Sequence, residues 1–197
     1  KNRMANSWRN DTIIGVIKLL YGGKNMKTLK AAVIGVGSIS YEHINGYIKN
    51  ENVDLYAFCD INEKQLKFMS EKYGIPAERC FTDKDEMLKA LPEIDIVSVC
   101  TWNAAHAECT IAALNAGKDV YLEKPMTFTI YEGQQLIKAV RENGRILQVG
   151  CQQRSDAAFQ HAVKMVQEGK LGKIQRIKAK FGAPPTPYDL PRTKLPE

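Results

Sequence analysis

A short apolar run ending in Val33-Ile34 breaks into Gly35-Val36-Gly37-Ser38-Ile39-Ser40, and the next apolar run, Val53 to Cys59, ends in Asp60. This pairing constrains the fold more than any other feature of the chain. A glycine at 35 permits a tight turn out of a strand. With no Cβ at Gly37, a diphosphate can approach the backbone closely, and a following helix aims its free amides and positive dipole end at that anion. A carboxylate at the end of the next strand accepts hydrogen bonds from a ribose. The third glycine of the usual fingerprint is Ser40 here. Taken together, Gly35, Val36, Gly37, Ser38, Ile39 and Asp60 read as a dinucleotide cradle, against the plainer reading of a glycine-rich turn without a ligand.

The rest of the pattern agrees with that start. Strand-like and helix-like segments alternate. The spacing predicts strands over 30–35, 53–59, 80–82, 94–100, 119–122 and 145–149, with helices over 38–50, 63–73, 83–90, 104–116 and 129–143 between them. Asn62 and Asp83 (or Asp85) are placed to cap helices, and Gly74, Gly117 and Gly144 to stop them. Alternation of this kind implies right-handed crossovers and a doubly wound parallel sheet of the Rossmann type, an α/β fold. Ligands in such sheets bind beyond the carboxyl ends of the strands, where Gly35, Asp60, Thr101, Glu123 and Gly150 all fall. After Gly150 the texture changes. Ser155 is placed to cap a helix over 156–168, and Ile174 to Phe181 alternates apolar and polar, the mark of a half-solvated strand opening a second, α+β domain. The domain reading is an extension without stable structure over 1–27, a dinucleotide-binding domain over 28–150, and a linker helix with the start of a truncated second domain over 151–197.

Charge and cysteines exclude several functions. The chain has 28 basic and 22 acidic side chains, but residues 1–30 hold seven of the basic ones against Asp11 alone, so the remainder is balanced. Nucleic-acid binding by charge is thereby excluded for the folded part. Cys59, Cys80, Cys100, Cys109 and Cys151 lack metal-ligand spacing and read as buried reduced thiols of a cytoplasmic protein, with no metal site. The apolar stretch Ile13 to Leu20 is too short to span a bilayer, so no membrane partner is expected. Met26, directly before the first strand, looks like a natural start, and the proline-rich stretch before Glu197 does not look like a domain end; the chain reads as a fragment.

Three further stretches carry a resemblance. Gly35-Val-Gly-Ser-Ile-Ser-Tyr-Glu-His43, Cys100-Thr-Trp-Asn-Ala-Ala-His106 and Glu123-Lys124-Pro125 are similar, in order and spacing, to segments of the Gfo/Idh/MocA family. These are NAD(P)-dependent oxidoreductases related to glucose–fructose oxidoreductase and inositol dehydrogenase. Gly150-Cys-Gln-Gln-Arg154 and Gly169-Lys-Leu-Gly-Lys-Ile174 resemble the family's entry into its second domain, and the likeness covers residues 28 to about 190. Trp102 stands where the family has proline, a change expected to alter the loop and to put an indole either against the cofactor or in the core.

The resemblance implies a hydride transfer between nicotinamide and a hydroxyl or carbonyl carbon of a small-molecule substrate, a sugar, polyol or related compound. It implies that Lys124 is catalytic and contacts both nicotinamide ribose and substrate, while Glu123 and Pro125 adjoin the cofactor. It also puts Thr101, Trp102, Asn103 and His106 along the cofactor path, and Gln152 and Arg154 near the nicotinamide end. A lysine at a strand end can stabilise a developing alkoxide. His43 reads as a packing residue or a cofactor contact, and His161 as a surface residue. Asp60 favours NAD over NADP, because a carboxylate repels a 2′-phosphate, although Lys64 lies close by in sequence. The family's proton-transfer histidine, substrate wall and oligomer interface belong to a second domain, so this chain alone is expected to bind cofactor without turnover, and the whole protein to be a homo-oligomer. Two other readings compete: an NAD-dependent glycosidase of the same family, and a non-catalytic dinucleotide sensor.

Overall fold

A computed structural model describes residues 28–180. The expected N-terminal extension, the stretch Ile13 to Leu20 and the prolines from Pro184 onward lie outside the described residues. Six strands, β1 (Leu29–Ile34), β2 (Val53–Cys59), β3 (Cys80–Phe81), β4 (Ile96–Val99), β5 (Asp119–Glu123) and β6 (Leu147–Gly150), form one sheet in the order β3-β2-β1-β4-β5-β6. Every neighbouring pair is parallel. The sheet is therefore doubly wound, with its reversal of strand order between β1 and β4, where such folds open a crevice.

Residue alternation decides which helix packs where. Ala31 and Val33 face one side of the sheet with Ile44 and Tyr47 of α1 (Ser40–Ile48) and Leu66 and Met69 of α2 (Glu63–Tyr73). Ala32 and Ile34 face the other, against Met87 of α3 (Lys84–Ala90), Leu114 of α4 (His106–Asn115) and Leu136 of α5 (Ile130–Asn143). β4 and β5 read as nearly continuous apolar runs because both of their faces are covered.

Capping sets the helix starts. The Asn62 side chain accepts from the amides of Lys64 and Gln65, and Asp83, not Asp85, does the same for Asp85 and Glu86. Thr129 and Glu132 form a reciprocal capping box at the head of α5. The first helix begins two residues later than expected, because Ser40 turns back on the Gly37 carbonyl through both its amide (3.2 Å) and its hydroxyl (2.7 Å). The sixth strand begins at Leu147 instead of Arg145, whose amide returns to the Val140 carbonyl to close the left-handed turn at Gly144.

Three expectations after Gly150 are corrected. Asp156, not Ser155, caps α6 (Ala157–Gln167), its carboxylate accepting from Ala158 and Phe159. Residues 174–180 form no strand, since no described strand lies alongside to pair their alternating backbone groups. Cys151 is exposed; its turn leaves the sheet directly after β6. The first compact unit runs to Gln160, and a second one begins at His161, within α6. Among the described residues no helix is long and apolar enough to cross a membrane, and no group of three or more His, Cys, Asp or Glu side chains could hold a metal ion.

Two substitutions test this packing. Leu122→Ala, at a fully buried position of β5, is expected to cost about 2–5 kcal/mol, and Thr129→Ala about 1 kcal/mol, both read from urea unfolding midpoints.

Candidate functional site

The glycine turn is built against its neighbours. Gly35 takes a φ of +86°, and a Cβ placed on it would stand 2.8 Å from the carbonyl group of Cys100 and the amide of Thr101. Only glycine satisfies both the left-handed backbone and that approach. Its amide donates to the Cys59 carbonyl at 2.8 Å. The next amide, of Val36, donates to Asp60 Oδ2 at 2.8 Å, while Asp60 Oδ1 accepts from Asn62 at 2.8 Å. Asp60 therefore welds the turn to the end of β2 and still has lone pairs free for a hydroxyl donor. A Cβ on Gly37 would meet no atom within 4 Å, so the space beside that residue is open.

That space belongs to a cleft of about 630 Å³ lined by the turn, by Asp60 and Ile61, by Thr82, Asp83 and Lys84 after β3, and by residues between Cys100 and Cys109. Thr101 and Asn103 line it with Trp102, whose side chain is 86% exposed at the mouth. Trp102 has a φ of −65°, the value a proline would impose, so the loop keeps the course expected with proline and the indole stays out of the core. Lys84 and Glu108 form a 2.6 Å ion pair on the wall, and that hydrogen bond raises the Lys84 ammonium pKa despite partial burial.

Past the end of β5 the chain alternates sharply: Glu123 is buried, Lys124 and Pro125 are exposed, and the Lys124–Pro125 peptide is cis. Glu123 Oε1 lies 3.0 Å from His43 Nε2, and Oε2 accepts from the Lys124 amide at 3.2 Å. With the carboxylate as acceptor, His43 Nε2–H donates; the Ser98 hydroxyl then donates to His43 Nδ1 (3.0 Å) and the Tyr47 hydroxyl to Ser98 (2.6 Å). Burial pushes the Glu123 carboxyl up, but the hydrogen bond from His43, helped by the Lys124 amide and ammonium, outweighs it and holds the group below its ordinary value. Burial raises the Tyr47 phenol, keeping its proton on the donating oxygen.

Of the other expected site residues, His106 is 1% exposed and spends its ring on the chain, with Nδ1 2.6 Å from the Pro125 carbonyl and Nε2 3.1 Å from that of Thr101. Gln152 and Arg154 lie in the turn after β6, half-buried and exposed respectively. His161 is exposed on α6. The structure brings Gly35, Gly37, Ser38, Ile39, Asp60, Thr101, Trp102 and Asn103 into one cleft. Val36 contributes its backbone only, and the segment 123–125 stands farther along the same rim. Sequence reasoning missed Thr82, Asp83 and Lys84, which the strand-end rule would have flagged after β3, and Ser98, which carries no local signal.

A family model described as an oxidoreductase family with an NAD-binding Rossmann fold matches residues 29–151. Myo-inositol 2-dehydrogenase of Thermotoga maritima is 32% identical over 159 residues, which cover 80% of this chain and 47% of that protein. Scyllo-inositol dehydrogenase of Lactobacillus casei, solved with bound NAD(H) and scyllo-inositol, superposes with a TM-score of 0.67 at 27% identity, over 74% of this chain and 43% of that one. The WlbA dehydrogenase of Bordetella pertussis, solved with NADH and UDP-GlcNAcA, gives 0.68 at 28% identity, over 74% and 44%. The chain thus spans less than half the length of each of these relatives.

Glu123 sets a pH dependence. Its folded pKa is lowered from an ordinary 4.5, so its stabilising effect is complete above that value and is lost as pH falls below it. Between pH 5 and about 3, the urea midpoint of the wild type is expected to fall more steeply than that of Glu123→Gln; parallel curves would remove the carboxylate from the fold's stability.

Proposed function

The chain belongs to the Gfo/Idh/MocA family of NAD-binding oxidoreductases, and from that premise we propose that the whole protein transfers hydride between nicotinamide and a hydroxyl or carbonyl carbon of a sugar, polyol or related compound. One observation carries the reading: the glycine turn, Asp60 and the Glu123-Lys124-Pro125 segment stand along one strand-end rim of a single sheet. The residues present fit the cofactor. The open face of Gly37 leaves room for a diphosphate, and Asp60 keeps acceptor capacity while its backbone bonds are made. When bound, NAD supplies the hydride acceptor.

The chain's own residues divide the remaining work. The turn Gly35 to Ile39 would hold the diphosphate with the amides of Gly37, Ser38 and Ile39 at the head of α1, those of Gly35 and Val36 being taken by the Cys59 carbonyl and Asp60. Asp60 would accept from the adenosine ribose and repel a 2′-phosphate, which supports NAD over NADP. Thr101, Asn103 and the exposed face of Trp102 would line the path along the dinucleotide. Lys124, exposed past β5, would hydrogen-bond the substrate oxygen and stabilise it as its proton departs. Gln152 and Arg154 would lie toward the nicotinamide. By resemblance to the family, the proton acceptor and the homo-oligomer contact belong to a second domain. Buried free thiols at Cys59, Cys100 and Cys109 support a cytoplasmic setting.

Two variants of the whole protein test the reading. Asp60→Asn keeps one acceptor for the turn and removes the charge, so the ratio of NADP to NAD affinity should rise about tenfold by calorimetry; an unchanged ratio would remove Asp60 from cofactor selection. Lys124→Ala should lower kcat about a hundredfold or more, with NAD affinity changed less than about threefold; unchanged turnover would remove Lys124 from the chemistry.

A further inference from the structure

We infer that His43 and His106 are positioning residues which together hold Lys124 from both sides of its tripeptide. Lys124 is flanked by one residue whose side chain is fixed by His43 and one whose carbonyl is fixed by His106. Between them the Lys124 amide is itself tied to Glu123 Oε2. The backbone is therefore pinned on each side of a lysine whose own side chain is left exposed.

Neither histidine lines the cleft. Both rings are buried, at 2% and 1% exposure, and both put polar atoms on the protein instead. Burying an imidazole against a carboxylate, or against two carbonyls, is costly compared with an apolar side chain of similar size. What these contacts supply is location. His43 lies on α1, the helix that the glycine turn opens, and its ring packs edge-to-face with that of Tyr121 at 5.1 Å between centroids. His106 opens α4, and its ring sits between the carbonyls of Pro125 (2.6 Å) and Thr101 (3.1 Å), with its N–H donating to the nearer one. Each histidine thus links an element of the dinucleotide cleft to the segment that carries Lys124. A displacement of about 1 Å at a reacting group costs roughly a hundredfold in rate, which gives such a brace a purpose.

This inference rests on the proposed placement of Lys124 beside bound NAD, and its test separates the two. In the whole protein, the rate at which an amine-acylating reagent modifies Lys124 is measured by peptide mass spectrometry, with and without saturating NAD; NAD affinity is measured in parallel by calorimetry. NAD is expected to slow labelling of wild-type Lys124 at least tenfold. In His106→Ala and His43→Ala, protection is expected to fall below threefold while NAD affinity changes less than fivefold. His106→Gln and His43→Gln, which keep an N–H donor, are expected to restore most of it, whereas His106→Leu and His43→Leu, which fill the buried space without a polar atom, are expected to lose it and serve if the alanine variants do not fold. Full protection in all variants, or protection lost only in proportion to NAD affinity, would overturn the positioning role. Absence of protection in the wild type would overturn it too, by placing Lys124 away from the cofactor. Protection that follows the expected pattern, with no NAD reduction by any polyol or sugar tried, would uphold the brace and refute the dehydrogenase reading alone.

Discussion

The ligand-facing rim depends on one close approach, that of Gly35 to the backbone at Cys100 and Thr101. With no side chain at 35, the chain leaving β1 turns sharply between the ends of β2 and β4. Asp60 then locks the turn from the β2 side through the Val36 amide. A methyl group at 35 would push two strand ends apart at the point where the sheet reverses its order. The cleft, the start of α1 and the reach of Asp60 into that cleft all follow from the contact.

A second layer lies behind the first. Tyr47, Ser98, His43 and Glu123 form a buried hydrogen-bonded chain with one satisfied direction of donation, running from α1 across β4 to β5. Buried polar groups are tolerated when each finds its partner, and such chains specify one arrangement where apolar packing would allow several. Here the specified arrangement is the alignment of the cradle helix with the strand end bearing Lys124. His106 performs a similar task from α4, on the opposite face of the sheet.

Much of this was legible because it is local. The glycine turn, Asp60 after an apolar run, and the caps at Asn62 and Asp83 are short-range signals whose chemistry is complete within a few residues. The pair His43 and Glu123 lies 80 positions apart, and only the strand order 1-4-5 brings the helix after β1 over β5. The cap at α6 was misplaced by one residue because Ser155 and Asp156 are both able to cap, and backbone geometry alone chooses between them. The alternation over 174–180 describes a surface with one apolar side, which makes a strand only when a neighbour accepts its backbone. At Trp102 the change of residue type suggested a changed loop, yet the backbone angle is one that proline and tryptophan share.

Calorimetric titration of the protein with NAD, with ADP-ribose and with adenosine measures the cradle most directly. Binding of one NAD per chain is expected, with ADP-ribose retaining most of the affinity and adenosine, which has no diphosphate, losing most of it. No heat with NAD or NADP, or equal affinity for adenosine and ADP-ribose, would contradict a diphosphate held by the turn at Gly35 to Ile39.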